Sequence, residues 1–144
     1  MALHPSFPIV EGEHRMTEEW GIYLPDRFNR RFEAGNLVLW RPKLTFWIAV
    51  WGNDKNEQTD DRLAWILREA SAQRRNEKIE RDEGVVWLTY ELPEEDAKRS
   101  PRAYTSIAGY VLSDQGHVQI SAYCDDAPSL KLGYEIIRSV QPTS

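Results

Sequence analysis

Apolar and polar positions alternate with a period of two over much of this chain, and two stretches keep the 3.6-residue period of a helix. Leu44 to Trp51 is the strongest strand: Phe46, Ile48 and Val50 point one way, and Trp47, Ala49 and Trp51 the other. Both faces are apolar, so this strand should be covered on both sides and central in its sheet. Five further runs read as strands. They are 18–24, closed by Pro25-Asp26; 37–40, stopped before Pro42; 85–92, ended by Pro93; 104–112; and 117–124. The last two are joined by the turn residues Ser113-Asp114-Gln115-Gly116, which predicts a hairpin. In the final strand Val118, Ile120, Ala122 and Cys124 share one face, and His117, Gln119, Ser121 and Tyr123 the other. Two segments are ambiguous. In 26–35, Phe28 and Phe32 lie four apart, a spacing that permits a short helical turn before Gly35; 76–83 is polar apart from Ile79 and reads as an edge strand or a loop.

A helix is predicted over 60–74. Thr59 is its expected N-cap, Asp60 and Asp61 suit the positive end of the helix dipole, and Arg74 and Arg75 suit the other end. Its apolar stripe is Leu63, Ile66, Leu67 and Ala70. A second helix starts at Asp125-Asp126-Ala127-Pro128-Ser129, with a carboxylate cap and a first-turn proline. It presents Leu130, Tyr134, Ile137 and Val140 and ends before Pro142. Strands, helix, strands, helix, with short turns between neighbouring strands, predict an α+β fold: a mostly antiparallel sheet of about six strands flanked by two main helices. The 144 residues fit one domain over 1–144, with 1–16 as an extended N-terminal arm. No internal repeat or low-complexity tract interrupts it.

Composition narrows the function classes. A formal net charge of −5 argues against nucleic acid as the main partner, because such affinity comes mostly from Lys and Arg on phosphates. Cys124 is the only cysteine, so no internal disulfide signals an oxidising compartment. The N-terminus lacks the basic start and apolar run of a signal peptide, and no stretch approaches the ~20 apolar residues of a membrane span. A cytoplasmic location is the expectation. The six tryptophans (Trp20, Trp40, Trp47, Trp51, Trp65 and Trp87) are expected mostly in the core, with one or two on a binding surface.

Two segments carry a resemblance. One is Trp20-Gly21-Ile22-Tyr23-Leu24-Pro25-Asp26-Arg27-Phe28, a strand running into a Leu-Pro break and then a Phe. The other joins Gly116-His117-Val118-Gln119-Ile120-Ser121-Ala122-Tyr123 to the closing helix Tyr134-Glu135-Ile136-Ile137-Arg138-Ser139-Val140. In these the chain resembles small bacterial domains of the Mog1/PsbP/DcrB fold group. The likeness implies an antiparallel sheet flanked by helices. Members of that group serve as accessory factors in photosynthesis, as partners of a small GTPase and as chaperones of secreted effectors, so the likeness does not select an activity.

Motifs for chemistry are sparse. Gly-x-Ser-x-Gly, phosphate-binding glycine loops, His-Glu-x-x-His and Cys-x-x-Cys are all absent. Cys124 and His117 would make a thiol–imidazole pair, but on one strand they lie roughly 23 Å apart and on opposite faces. The adjacent pairs Asp60-Asp61 and Asp125-Asp126 read as helix caps, and Glu94-Glu95-Asp96 beside Lys98 and Arg99 as a solvated loop. The segment Arg27-Phe28-Asn29-Arg30-Arg31-Phe32 interleaves arginines with aromatics. It suits a protein-binding anchor, a small anionic partner or a nucleic acid whose phosphates the arginines grip and whose bases the rings stack on, and the plain alternative is an amphipathic turn with its phenylalanines inward. Candidate binding residues are therefore Arg27, Phe28, Arg30, Arg31 and Trp40, with no catalytic residue, metal or cofactor assigned. The expected function is a non-enzymatic binding or accessory protein (chaperone, adaptor or immunity-type) with another protein as partner. The alternatives are a small hydrolase with a dispersed site, or a small-ligand carrier with Trp40, Trp47 or Trp51 in a pocket between sheet and helix.

Overall fold

The structure, a computed structural model, describes residues 3–92 and 105–143. The chain runs β1 (Ile9–Arg15), β2 (Trp20–Glu33), β3 (Asn36–Arg41), β4 (Leu44–Trp51), α1 (Thr59–Glu69), β5 (Arg75–Asp82), β6 (Val85–Leu92), β7 (Thr105–Ser113), β8 (Gly116–Cys124), α2 (Ala127–Ser139) and β9 (Gln141–Pro142). The strands form one antiparallel sheet in the order β1-β2-β3-β4-β8-β7-β6-β5, with β9 paired to the start of β2. As predicted, β4 is central: all eight of its residues pair with β8, from Leu44 opposite Cys124 to Trp51 opposite His117.

The expected α+β fold of about six strands is corrected: the sheet has nine strands among the described residues and dominates the molecule. The additional strands are β1, β5 and β9. β1 and β5 are the two edges of the sheet, where polar residues face water and leave little apolar alternation; of the two readings of 76–83, the edge strand is the one the structure shows. The expected helical turn at 26–35 is also strand, because β2 runs on to Glu33. Pro25 does not end it. Between the pairs Val10–Phe28 and Gly12–Leu24 the register shifts, so Pro25, Asp26 and Arg27 lie opposite the single residue Glu11. A proline is tolerated in such a bulge because no ladder hydrogen bond is asked of it there.

The two helices pack on opposite faces. α2 covers the larger core, where Ile136, Ile137 and Val140 meet Phe28, Phe46, Ile107 and Ile120. Its N-cap is the predicted carboxylate: Asp126 accepts from the Ser129 amide at 2.9 Å. On the other face Leu63 and Ile66 of α1 pack on Val86, Leu88, Tyr90 and Leu112. α1 is shorter than expected, ending at Glu69, and its N-cap is Gln58 rather than Thr59, with no side-chain capping bond. The loop containing Glu94-Glu95-Asp96 lies outside the described residues. No helix among the described residues is long and apolar enough to cross a membrane.

Candidate functional site

The register of β4, β8 and β7 sets one side of a cavity. Trp51 ends β4 opposite His117, and Tyr110 on β7 lies opposite Gln119. Side chains of paired residues share a face, so these groups project toward α1. α1 supplies the other wall with Arg62, Trp65, Ile66 and Glu69, an i, i+3, i+4, i+7 stripe beside the one buried in the sheet. The loop between β4 and α1 adds Asp54, Lys55 and Glu57. The open cavity has a volume of about 490 Å³, within the size range of small-molecule sites.

Arg62 organises this corner. Its side chain is 5% exposed, and both terminal nitrogens of the guanidinium are engaged. Nη1 donates to the Gly52 carbonyl at 3.1 Å and to His117 Nδ1 at 3.0 Å, and Nη2 donates to Asn53 Oδ1 at 2.8 Å. Glu57 Oε1 lies 3.7 Å away and supplies the counter-charge. The other Glu57 oxygen accepts from Trp65 Nε1 at 3.2 Å. Asn53 closes the loop, donating to the carbonyls of Glu57 and Asp114.

A guanidinium has no acceptor, so the His117 Nδ1 that meets it is unprotonated and Nε2 carries the proton. Burial, and then the neighbouring Arg62 charge, hold the His117 pKa down at about 4. The imidazole is therefore neutral near pH 7. Three rings surround it, each with its centroid 6.2 Å away: Trp51 near-parallel, Trp65 edge-on and Tyr110 tilted. Trp51 remains 54% exposed, an open aromatic lip over the site.

The sequence-derived candidates fall in several places. Phe28 is fully buried in the α2 core. Arg27 is exposed, and Arg30 lies over the Phe32 ring at 5.3 Å. Arg31 and Trp40 do meet: the guanidinium lies 4.6 Å from the Trp40 ring centroid and 5.7 Å from that of Trp47. This stack is on the α1 side of the sheet, since Arg31 pairs with Val38 and Val38 with Trp47. Phe7 packs edge-on against Trp40, and Asn29 ties the preceding residues down by bonding the His4 amide and carbonyl. Only Trp20 and Trp87 are fully buried, so the expectation of mostly core tryptophans is corrected; Trp40, Trp47 and Trp65 are half-buried. Cys124 and His117 lie on opposite faces, as their spacing requires. The thiol is under α2, with its pKa pushed up to about 12, chiefly by burial.

Arg62, Trp65 and His117 were not singled out as a site by the sequence reading. The available signal was the second helical stripe, a charged residue and a tryptophan at the spacing of the first, facing the polar side of the last long strand. Compared with known proteins, the chain matches no family model and no curated relative, and nothing there bears on the likeness to the Mog1/PsbP/DcrB group.

Proposed function

We propose that this chain is a non-enzymatic binding protein whose ligand is a small planar ring seated in the cavity beneath α1. The observation that carries the reading is the division of labour inside the cavity. The buried charged groups are engaged with one another, while the aromatic walls remain open. Arg62 is held by Gly52, Asn53, His117 and Glu57, so it braces the site rather than waiting for a substrate. Trp51 offers an exposed face for stacking, and Trp65 and Tyr110 bound the opposite sides. The His117 Nε2–H has no partner among the described residues and can donate to a ring nitrogen or carbonyl. The cavity is lined by three carboxylates, Asp54, Glu57 and Glu69, against the two cations Lys55 and Arg62, so no net positive charge draws an anion and an uncharged ring fits it.

The convergence of Asp54, Glu57, Glu69, Lys55 and His117 on one cavity is the observation that favours the alternative of a small hydrolase. Two features count against it. The lining residues include no serine, threonine or cysteine nucleophile, and an imidazole with a pKa of about 4 is a weak general base at neutral pH.

Saturation-transfer NMR of the full chain against a library of planar aromatic and heteroaromatic compounds tests the proposal. Binders should emerge, and their signals should fall at least several-fold with Trp51→Ala, a change at an exposed position that spares the core. A library without binders, or binders indifferent to Trp51→Ala, would overturn it. Turnover of ester or phosphodiester members of the same library would favour the hydrolase.

A further inference from the structure

A second cavity, of about 500 Å³, opens on the opposite face of the sheet. Trp87, Thr89 and Glu91 line it from β6, and Tyr134, Ile137 and Arg138 from α2. Glu91 is only 9% exposed. Buried carboxylates are nearly always paired with a cation, because desolvation of the charge is otherwise uncompensated. Among the described residues Glu91 has no ion pair. Its one hydrogen bond there comes from Tyr134 Oη, which donates to Oε2 at 2.5 Å.

Two of the nearby cations are committed elsewhere. Lys78 and Arg138, both on the cavity wall, each hold Glu80 at 2.8 Å, and the Arg138 guanidinium lies 3.7 Å from the Trp87 ring centroid. Arg75 is exposed and lies opposite Glu91 in the strand register, and among the described residues it makes no ion pair with Glu91 or any other carboxylate. The cavity therefore combines a buried carboxylate that has no ion pair among the described residues with apolar surface from Trp87 and Ile137.

We infer that this cavity binds a protonated amine, with the ammonium on Glu91 and the Tyr134 phenol oxygen and an apolar tail along Ile137 and Trp87. A metal ion is the rival cation. It would need several oxygen ligands, and among the described residues no three His, Cys, Asp or Glu side chains are grouped to hold one. The site is independent of the α1 cavity: the two share no lining residue.

The probe is 2-phenylethylammonium chloride, titrated into the full chain by ¹H–¹⁵N correlation NMR, with 2-phenylethanol and calcium chloride as comparisons. The ammonium should bind at least tenfold more tightly than the alcohol, with shifts centred on the Trp87 indole N–H and the Glu91 amide. Glu91→Gln should abolish that preference, and Trp51→Ala should leave it unchanged. Equal affinity for the alcohol, tighter binding of calcium at the same signals, or shifts centred elsewhere would overturn the assignment. The wild-type comparison alone decides it if Glu91→Gln does not fold.

Discussion

Arg62 and His117 fix each other's state, and that coupling has a measurable pH signature. The imidazole titrates at about 4 in the fold, against an ordinary value of 6.5. Between these values the unfolded chain binds the extra proton and the native chain does not, so stability rises with pH. The contribution is complete above about pH 6.5, shrinks as pH falls toward 4, and is level below that; it amounts to on the order of 3 kcal/mol. His117→Gln keeps an acceptor for Arg62 and removes the titration. Urea unfolding at pH 7 and pH 4.5 should show the wild type losing about 2–3 kcal/mol more than the variant; equal losses would show that His117 is not the source. At this scale the opposite facing of His117 and Cys124 was legible, because an odd separation on a strand decides it. The Arg62 clasp was not. Arg62 is on α1 while its partners come from β8 and from the loop after β4, and no local spacing brings them together.

The elements that hold the cavity place strict demands on single positions. Gly116 starts β8 with φ +136°, and a Cβ there would lie 2.0 Å from the Trp51 carbonyl oxygen. Gly116→Ala must push β8 away from the end of β4, and should cost about 2–4 kcal/mol in denaturant unfolding. Its indole signals from Trp51 should shift; an unchanged midpoint would refute this account of the strand pairing. The cap on α2 is a milder case. Asp126→Ala removes the acceptor for the Ser129 amide and should lower the unfolding midpoint in the same measurement by less than Gly116→Ala does, with no change at the α1 cavity. The central strands and both helices could be read from apolar periodicity because each buries a stripe or a face. β5 was legible only as one of two alternatives, an edge strand or a loop, and β1 not at all: as edge strands they are mostly exposed and largely polar, so pairing rather than burial defines them. The continuation of β2 past Pro25 depends on a bulge against β1, which the sequence of β2 alone does not announce.

In the whole molecule, one sheet separates two cavities, one under α1 walled by Trp51, Trp65 and Tyr110 and one beside α2 that holds the buried Glu91 carboxylate. The tryptophans follow this arrangement. Trp20 and Trp87 fill the α2 core, while Trp40, Trp47, Trp51 and Trp65 are partly open to solvent and lie on or against the α1 side of the sheet. Six tryptophans were visible in the sequence, but their division between core and surface depends on how far α1 extends across its face. The most direct test of the α1 cavity as a ligand site is a ¹H–¹⁵N map of the full chain with the tightest planar compound found for it. The largest shifts should fall on the Trp51 and Trp65 indole N–H groups and on the amides of Lys55 and Gln119. Shifts gathered instead around Arg31, Trp40 and Trp47, or scattered without a centre, would contradict the account.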